Sequence, residues 1–203
     1  MTHYKIALVG NPNVGKTSVF NKLTNLRQKV GNYPGVTVEK RVGNIERNGN
    51  KFQITDMPGT YTMYPSSLDE EIVFKILGDK TNANQPDLAV VVGEPLNLKR
   101  SILLYQQVRD LGVPAIFVIN MMDEIDSKGL HIDIKKLEEF LQTKIYLTNA
   151  RTSKGLDELI DALTQPAQAY KPMLEIPSEF SNSIQQVKEK FNVESDYFSC
   201  YYF

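Results

Sequence analysis

A chain of 203 residues is long enough for one ordinary domain and a small appendage. Its 41% hydrophobic and 23% charged residues suit a globular chain, and a formal net charge of −1 argues against non-specific nucleic-acid binding, which leans on a basic footprint. The single cysteine, Cys200, cannot form an internal disulfide, which fits a reducing, cytosolic setting, and the longest apolar runs, 88–92 and 113–119, are too short to span a bilayer. Residues 5–9 lead directly into a motif rather than into a signal-peptide pattern.

The run 6–9 predicts a strand buried on both faces, as do 88–92, 115–119 and 145–147 further on. The first run ends in Gly10-Asn11-Pro12-Asn13-Val14-Gly15-Lys16-Thr17, a complete G-x-x-x-x-G-K-[ST] loop. Val19, Phe20, Leu23 and Leu26 then share one helix face. Strand, glycine loop and helix together form a phosphate cradle. The glycines let backbone N–H groups turn toward the anion, and the helix N-terminus adds its positive end. Lys16 is expected at the β- and γ-phosphates, and the Thr17 hydroxyl on Mg²⁺. Asn11, Asn13, Val14 and Ser18 belong to the same wrap around the nucleotide.

Residues 27–39 have little periodicity and read as a long loop. Long loops in compact domains are usually functional. Thr37, with Val36 beside it, could complete the Mg²⁺ shell only when a γ-phosphate is present, making the loop an order–disorder switch. The runs 40–47 and 51–55 flank Asn48-Gly49, a strong hairpin signal, and predict an antiparallel edge on an otherwise parallel sheet. Asp56-Met57-Pro58-Gly59 follows. Alone it is a turn. After a phosphate loop, Asp56 becomes a water-mediated Mg²⁺ holder, and Gly59 brings the backbone near the γ-phosphate.

Ser67 and Glu70 form a capping-box pattern that opens a helix reaching about Gly78, and Asn97 is expected to cap a helix ending near Gly112. The run 115–119 is followed by Asn120-Met121-Met122-Asp123. A carboxylate at position 123 can accept from guanine N1–H and its exocyclic amine, a donor pair that adenine lacks. Asn120 is expected to contact the purine and brace the phosphate loop. Met121 stands where the common Asn-Lys-x-Asp form has lysine, keeping an apolar stem without the charge. Asn149-Ala150-Arg151 follows the last strand and forms the final base-contact loop, through its backbone. Leu156, Leu159, Ile160 and Leu163 mark another helix.

Such alternation, with the phosphate loop, predicts an α/β fold: a P-loop domain with a mostly parallel sheet, helices on both sides and one antiparallel edge strand. The domain is expected to span 1–165. Pro166, Pro172 and Pro177 punctuate a linker, and Phe180, Ile184, Val187 and Phe191 share one helix face in a partial helical segment over 166–203. Five aromatics close the chain: Tyr197, Phe198, Tyr201, Tyr202 and Phe203. They predict a contact surface, with self-association as one outcome.

Three stretches resemble the cytosolic G domain of the ferrous iron transport protein B family. They are the phosphate loop at 10–18, Val-Gly-Asn-Tyr-Pro-Gly-Val-Thr-Val-Glu at 30–39, and Asp-Met-Pro-Gly-Thr-Tyr-x-Met-Tyr-Pro-Ser-Ser at 56–67. Asn-Met-Met-Asp at 120–123 is also that family's form of the base motif. The resemblance implies a Ras-like P-loop GTPase domain followed by a helical spacer and a polytopic Fe²⁺-carrying membrane region, placing this segment at the inner face of the cell membrane. It implies Mg²⁺ bound through Thr17 and Thr37, and a K⁺ at Asn13 that stimulates hydrolysis. The catalytic set would be Lys16, Asn13, Thr37 and Gly59. Two positions depart from the family pattern: Gly93 stands for an aspartate after the 88–92 strand, and Asn149 stands for Ser or Thr before Ala150.

Two other readings remain open at this level. Thr60 follows the Asp-x-x-Gly motif, where Ras-type enzymes use glutamine to orient water, and it is too short for that task. A nucleotide-gated binding module with negligible turnover would fit. So would a soluble ribosome-associated GTPase, against which the net charge and the 30–39 stretch both argue. His3, His131 and Cys200 are isolated and form no iron-ligand set.

Overall fold

The computed structural model describes residues 2–164, 177–191 and 199. Pro166, Pro172, Cys200, the five terminal aromatics and the expected domain boundary lie outside those residues.

Seven strands form one sheet: β1 (His3–Gly10), β2 (Gln28–Asn32), β3 (Glu39–Arg47), β4 (Asn50–Asp56), β5 (Leu88–Gly93), β6 (Ala115–Ile119) and β7 (Ile145–Leu147), in the order β2-β3-β4-β1-β5-β6-β7. From β4 to β7 all pairing is parallel. β3 runs antiparallel to β4, joined through Asn48 and Gly49, both with positive φ (51° and 76°) as a tight primed hairpin turn needs. The antiparallel side is one strand wider than the sequence suggests. β2 lies antiparallel on β3, so the first residues of the expected 27–39 loop are an edge strand. Its sequence, Gln-Lys-Val-Gly-Asn, has no alternation because almost all of it faces solvent.

Helices α1 (Lys16–Leu23) and α6 (Leu156–Ala162) cover one face; α2 (Leu68–Gly78), α3 (Leu98–Asp110) and α5 (Ile134–Leu141) cover the other, and α4 (Asp123–Lys128) follows β6. The strand alternation decides which face each residue serves. Ile6, Leu8, Val90 and Val92 pack with Val19, Phe20 and Leu159, while Ala7, Val9, Ala89 and Val91 pack with Val73, Phe74 and Leu104. Each fully buried Val, Leu, Ile or Phe among them contributes roughly 1.5–3 kcal/mol. A short 3₁₀ turn (Ser178–Phe180) and α7 (Ser181–Phe191) follow, with Ile184 buried and Phe180 exposed.

Ser67 caps α2 by accepting from the Glu70 N–H at 3.3 Å. The reciprocal half of the box does not form. The Glu70 carboxylate accepts instead from Tyr61 N, Ser66 N and Ser66 Oγ at 2.9–3.1 Å, pinning the loop before the helix. Asn97 makes no capping bond to α3; its amide donates to Glu94 Oε1. α1 ends earlier than the apolar spacing implies. Thr24 Oγ1 bonds the Phe20 carbonyl, Asn25 and Leu26 take positive φ, and Leu26 leaves the helix face to stand 68% exposed.

Chain order sends β1 to β4 on one side and then to β5 on the other, so the crevice beyond the carboxyl ends of β1, β4 and β5 is the sheet's topological switch point, where α/β folds hold ligands.

Candidate nucleotide site

Every predicted site motif follows the carboxyl end of a sheet strand, the 33–38 loop after β2 included. Asn13 and Gly15 both take positive φ (70° and 78°), which curls the segment between β1 and α1 into a concave run of backbone N–H groups. Gly15 is needed for space as well: a Cβ there would meet Asn120 Nδ2 at 2.4 Å. Gly10 is equally confined, since its Cβ would lie 2.5 Å from the Val92 carbonyl oxygen.

Lys16 and Thr17 start α1, and Asp56 ends β4. The Asp56 carboxylate receives both: Lys16 Nζ lies 2.5 Å from Oδ1, and Thr17 Oγ1 donates to Oδ2 at 2.8 Å. Lys16 and Asp56 are nearly enclosed, so this is a charge pair held away from water. The hydroxyl of Thr17 and the carboxylate of Asp56 supply the hard oxygen donors that Mg²⁺ prefers. Asn13 presents an exposed side chain at the loop's outer edge. Among the described residues no group of three or more His, Cys, Asp or Glu side chains could hold a metal.

The 56–60 segment is tied to the phosphate loop. Thr60 N donates to the Gly10 carbonyl at 3.1 Å, and a Cβ on Gly59 would meet Pro12 at 3.0 Å. The Thr60 side chain is fully buried and donates to the Thr62 carbonyl at 2.9 Å, turned into the loop. Glu70, which organises that loop, has a carboxyl below its usual range: burial pushes it up, and the hydrogen bonds from Ser66 and Tyr61 outweigh that.

Asn120 is buried and makes three contacts. Its Nδ2 donates to the Val14 carbonyl at 3.1 Å, and its Oδ1 accepts from Thr148 Oγ1 at 3.1 Å and from Ala150 N at 3.0 Å. One side chain therefore fastens the phosphate loop to the last loop. Met121, at φ 60°, places its terminal methyl 3.1 Å from where a Gly15 Cβ would stand. In the last loop Asn149 Oδ1 accepts from Arg151 N and Thr152 N at 3.0 and 3.3 Å, an Asx turn that shapes the segment. At Gly93, the other departure, α3 comes so near that a Cβ would lie 2.5 Å from Ser101 Cβ.

These loops enclose a cleft of about 760 Å³ lined by Gly15, Ser18, Asn120, Met121, Asp123 and Arg151, with Lys22 and Leu26 on the α1 side. Two features were not anticipated. Leu26 belongs to this wall rather than to the core. The Arg151 side chain, and not only its backbone, enters the site: its Nη2 lies 2.5 Å from Asp123 Oδ2. The pair spans 28 positions and has no local sequence signal. Thr37 and Val36 lie on the loop between β2 and β3; Thr37 is exposed and makes no hydrogen bond to the Lys16–Thr17–Asp56 cluster.

Residues 4–163 match the family described as ferrous iron transport protein B. The chain belongs to that family. A Leptospira biflexa Fe(2+) transporter FeoB is 34% identical over 199 residues, covering 97% of this chain. The chain spans only 28% of that relative's length. Among solved structures, the cytosolic domain of the T. maritima FeoB iron transporter in a GDP form superimposes with a TM-score of 0.84 at 30% identity, over 97% of this chain and 80% of that one. The isolated T. maritima FeoB G domain gives 0.74 at 36% identity, over 82% and 99%. This is therefore an FeoB-type G domain, and GTP binding and hydrolysis are the property of its class.

Proposed function

We propose that this cleft binds Mg²⁺·GTP, hydrolyses it slowly to GDP and phosphate, and uses the cycle to regulate Fe²⁺ passage through a membrane region of the same transporter. The observation that carries the nucleotide reading is that the phosphate loop meets both aspartate sites: its Lys16 and Thr17 hold Asp56, and its Gly15 lines the cleft whose far wall carries Asp123. The GDP form of the T. maritima domain supports it. The transport role rests on the Fe(2+) transporter relatives, most of whose length lies beyond this segment. Among the described residues no helix is long and apolar enough to cross a membrane, so the membrane part would be another region of such a transporter. The location proposed is the cytoplasmic face.

At the phosphate end, backbone N–H groups of 10–17 cradle the phosphates and Lys16, still paired with Asp56, turns its remaining N–H donors to the β- and γ-oxygens. Thr17 and, through water, Asp56 would hold Mg²⁺, with Thr37 joining them in the triphosphate state, and the ion would supply positive charge against the phosphoryl oxygens. Asp123 accepts the guanine donors, Asn120 holds both walls in register, and Asn149, Ala150 and Arg151 close the base pocket. Gly59 brings its N–H toward the γ-phosphate.

Thr60 cannot orient water, because its side chain is buried and turned away. That observation favours two outcomes: a cation-assisted enzyme in which the Asn13 oxygen holds K⁺, or a nucleotide-gated module with negligible turnover. Steady-state phosphate release in K⁺ and in Na⁺ buffer separates them. The enzyme reading expects faster release in K⁺ and loss of that response in Asn13→Ala. A positive group at this place is worth about 10³–10⁵ in rate where arginine supplies it. Release at background in both buffers would leave the binding module; equal, robust release in both would remove K⁺ from the account. Residues 1–165 are proposed as the catalytic unit and 166–203 as the linker and first part of a helical domain whose terminal aromatics offer a contact surface.

A further inference from the structure

The loop that carries Thr37 has one buried anchor, Tyr33, with Val36 and Val38 packed against the same core cluster. Tyr33 opens the segment between β2 and β3. Its N–H donates to the Val38 carbonyl at 3.0 Å and its carbonyl accepts from Val36 N at 3.2 Å, closing a turn through Gly35 (φ 77°). Thr37 stands exposed on this turn. The Tyr33 ring goes the other way. It is 4% exposed and sits in the core cluster with Met57, Ala7 and Ile76. Its hydroxyl donates to Met57 Sδ at 3.4 Å. On its outer side Lys40 Nζ lies 5.5 Å from the ring centroid and donates to Asn84 Oδ1 at 2.8 Å.

Met57 is the residue after Asp56, which holds Lys16 and Thr17. A short mechanical chain therefore runs from the Thr37 turn through Tyr33 and Met57 to the Asp56 carboxylate. An untethered turn of this kind would lose conformational freedom each time Thr37 closed on a ligand; a buried aromatic at its base removes part of that cost in advance. Burial also pushes the Tyr33 hydroxyl up, helped by the Asp56 charge, so it stays a neutral donor to sulfur.

We infer that Tyr33 is a positioning residue that couples the Thr37 turn to Asp56 through Met57, so that it sets affinity for the triphosphate state and not for the diphosphate state. The inference rests on the GTP reading of the cleft. It differs from a merely structural role, which would weaken both nucleotides or neither.

The test is the ratio of affinities for a Mg²⁺·GTP analogue and for GDP, measured by titration on the whole chain. Tyr33→Ala should lower analogue affinity by about five- to tenfold, the low end of the usual range of a coupling between sites, with GDP changed less than about twofold. Tyr33→Phe, which keeps the buried ring, should restore most of the loss. Where Tyr33→Ala does not fold, Tyr33→Leu fills the site and carries the same prediction. The double variant Tyr33→Ala, Thr37→Ala should be no worse than Thr37→Ala alone, since both act through one contact. An unchanged ratio, an equal loss for both nucleotides, or fully additive effects in the double variant would overturn the inference. If the wild-type chain binds neither nucleotide, the reading of the cleft fails first and separately.

Discussion

Asp56 and Asp123 are each paired with a cation, and the pairs differ in how much water reaches them. The Asp56 and Lys16 side chains are 5% and 9% exposed, whereas those of Asp123 and Arg151 are 38% and 80% exposed. At the phosphate end the pair is enclosed, shared with Thr17, and set at the junction of a strand and a helix. At the base end it bridges the start of α4 and the last loop. The same chemistry therefore makes a fixed part in one place and an exchangeable one in the other. An exposed pair contributes about 0–1 kcal/mol, so Asp123 can release Arg151 for guanine at little cost. A buried charge cannot lose its partner so cheaply.

Breaking the buried pair should have the largest effect. Lys16→Met leaves the Asp56 carboxylate enclosed with only the Thr17 hydroxyl, and urea unfolding should show a loss of about 3–5 kcal/mol. A loss under about 1 kcal/mol would mean that water reaches Asp56 and that the two pairs are alike. Asp123→Ala should leave stability nearly untouched but remove discrimination between GTP and ATP, put at about a hundredfold or more from the buried polar groups left unmatched. Unchanged GTP affinity in that variant would take Asp123 out of the base site. Thr37→Ala should weaken the Mg²⁺·GTP analogue by about tenfold, a modest coupling energy, while sparing GDP; an equal loss for both would contradict its assignment to the triphosphate state. The smallest effect belongs to Arg151→Ala. If Arg151 only occupies Asp123 until guanine arrives, removing it should tighten both guanine nucleotides by up to about fivefold. Weaker binding would show instead that Arg151 holds Asp123 in place for the base.

The parts of this molecule that sequence made legible are those where one local rule governs. The phosphate loop is defined by glycines at fixed spacing between a strand and a helix. Asn48-Gly49 needs two positive φ angles, which few other residue pairs accept. Ser67 caps because its hydroxyl reaches an N–H three residues on. What escaped depends on distant partners. β2 is polar and exposed, and exists because β3 offers it a ladder. Glu70 fits a capping box by spacing, but the loop at 61–66 offers it more donors than Ser67 does. Leu26 has the right periodicity for α1, yet the helix stops at Leu23 and the next turns are left-handed. Nothing near Arg151 in the chain points to Asp123, and nothing near Tyr33 tells a buried anchor from an ordinary loop aromatic.

The central claim is that a rigid phosphate end and an exchangeable base end together make a guanine-nucleotide site. Equilibrium titration of the unmodified chain with Mg²⁺·GTP and Mg²⁺·ATP under identical conditions tests it most directly. The account predicts that GTP binds about a hundredfold or more tightly than ATP. Affinities within about threefold of each other, a difference of under 1 kcal/mol, would contradict it.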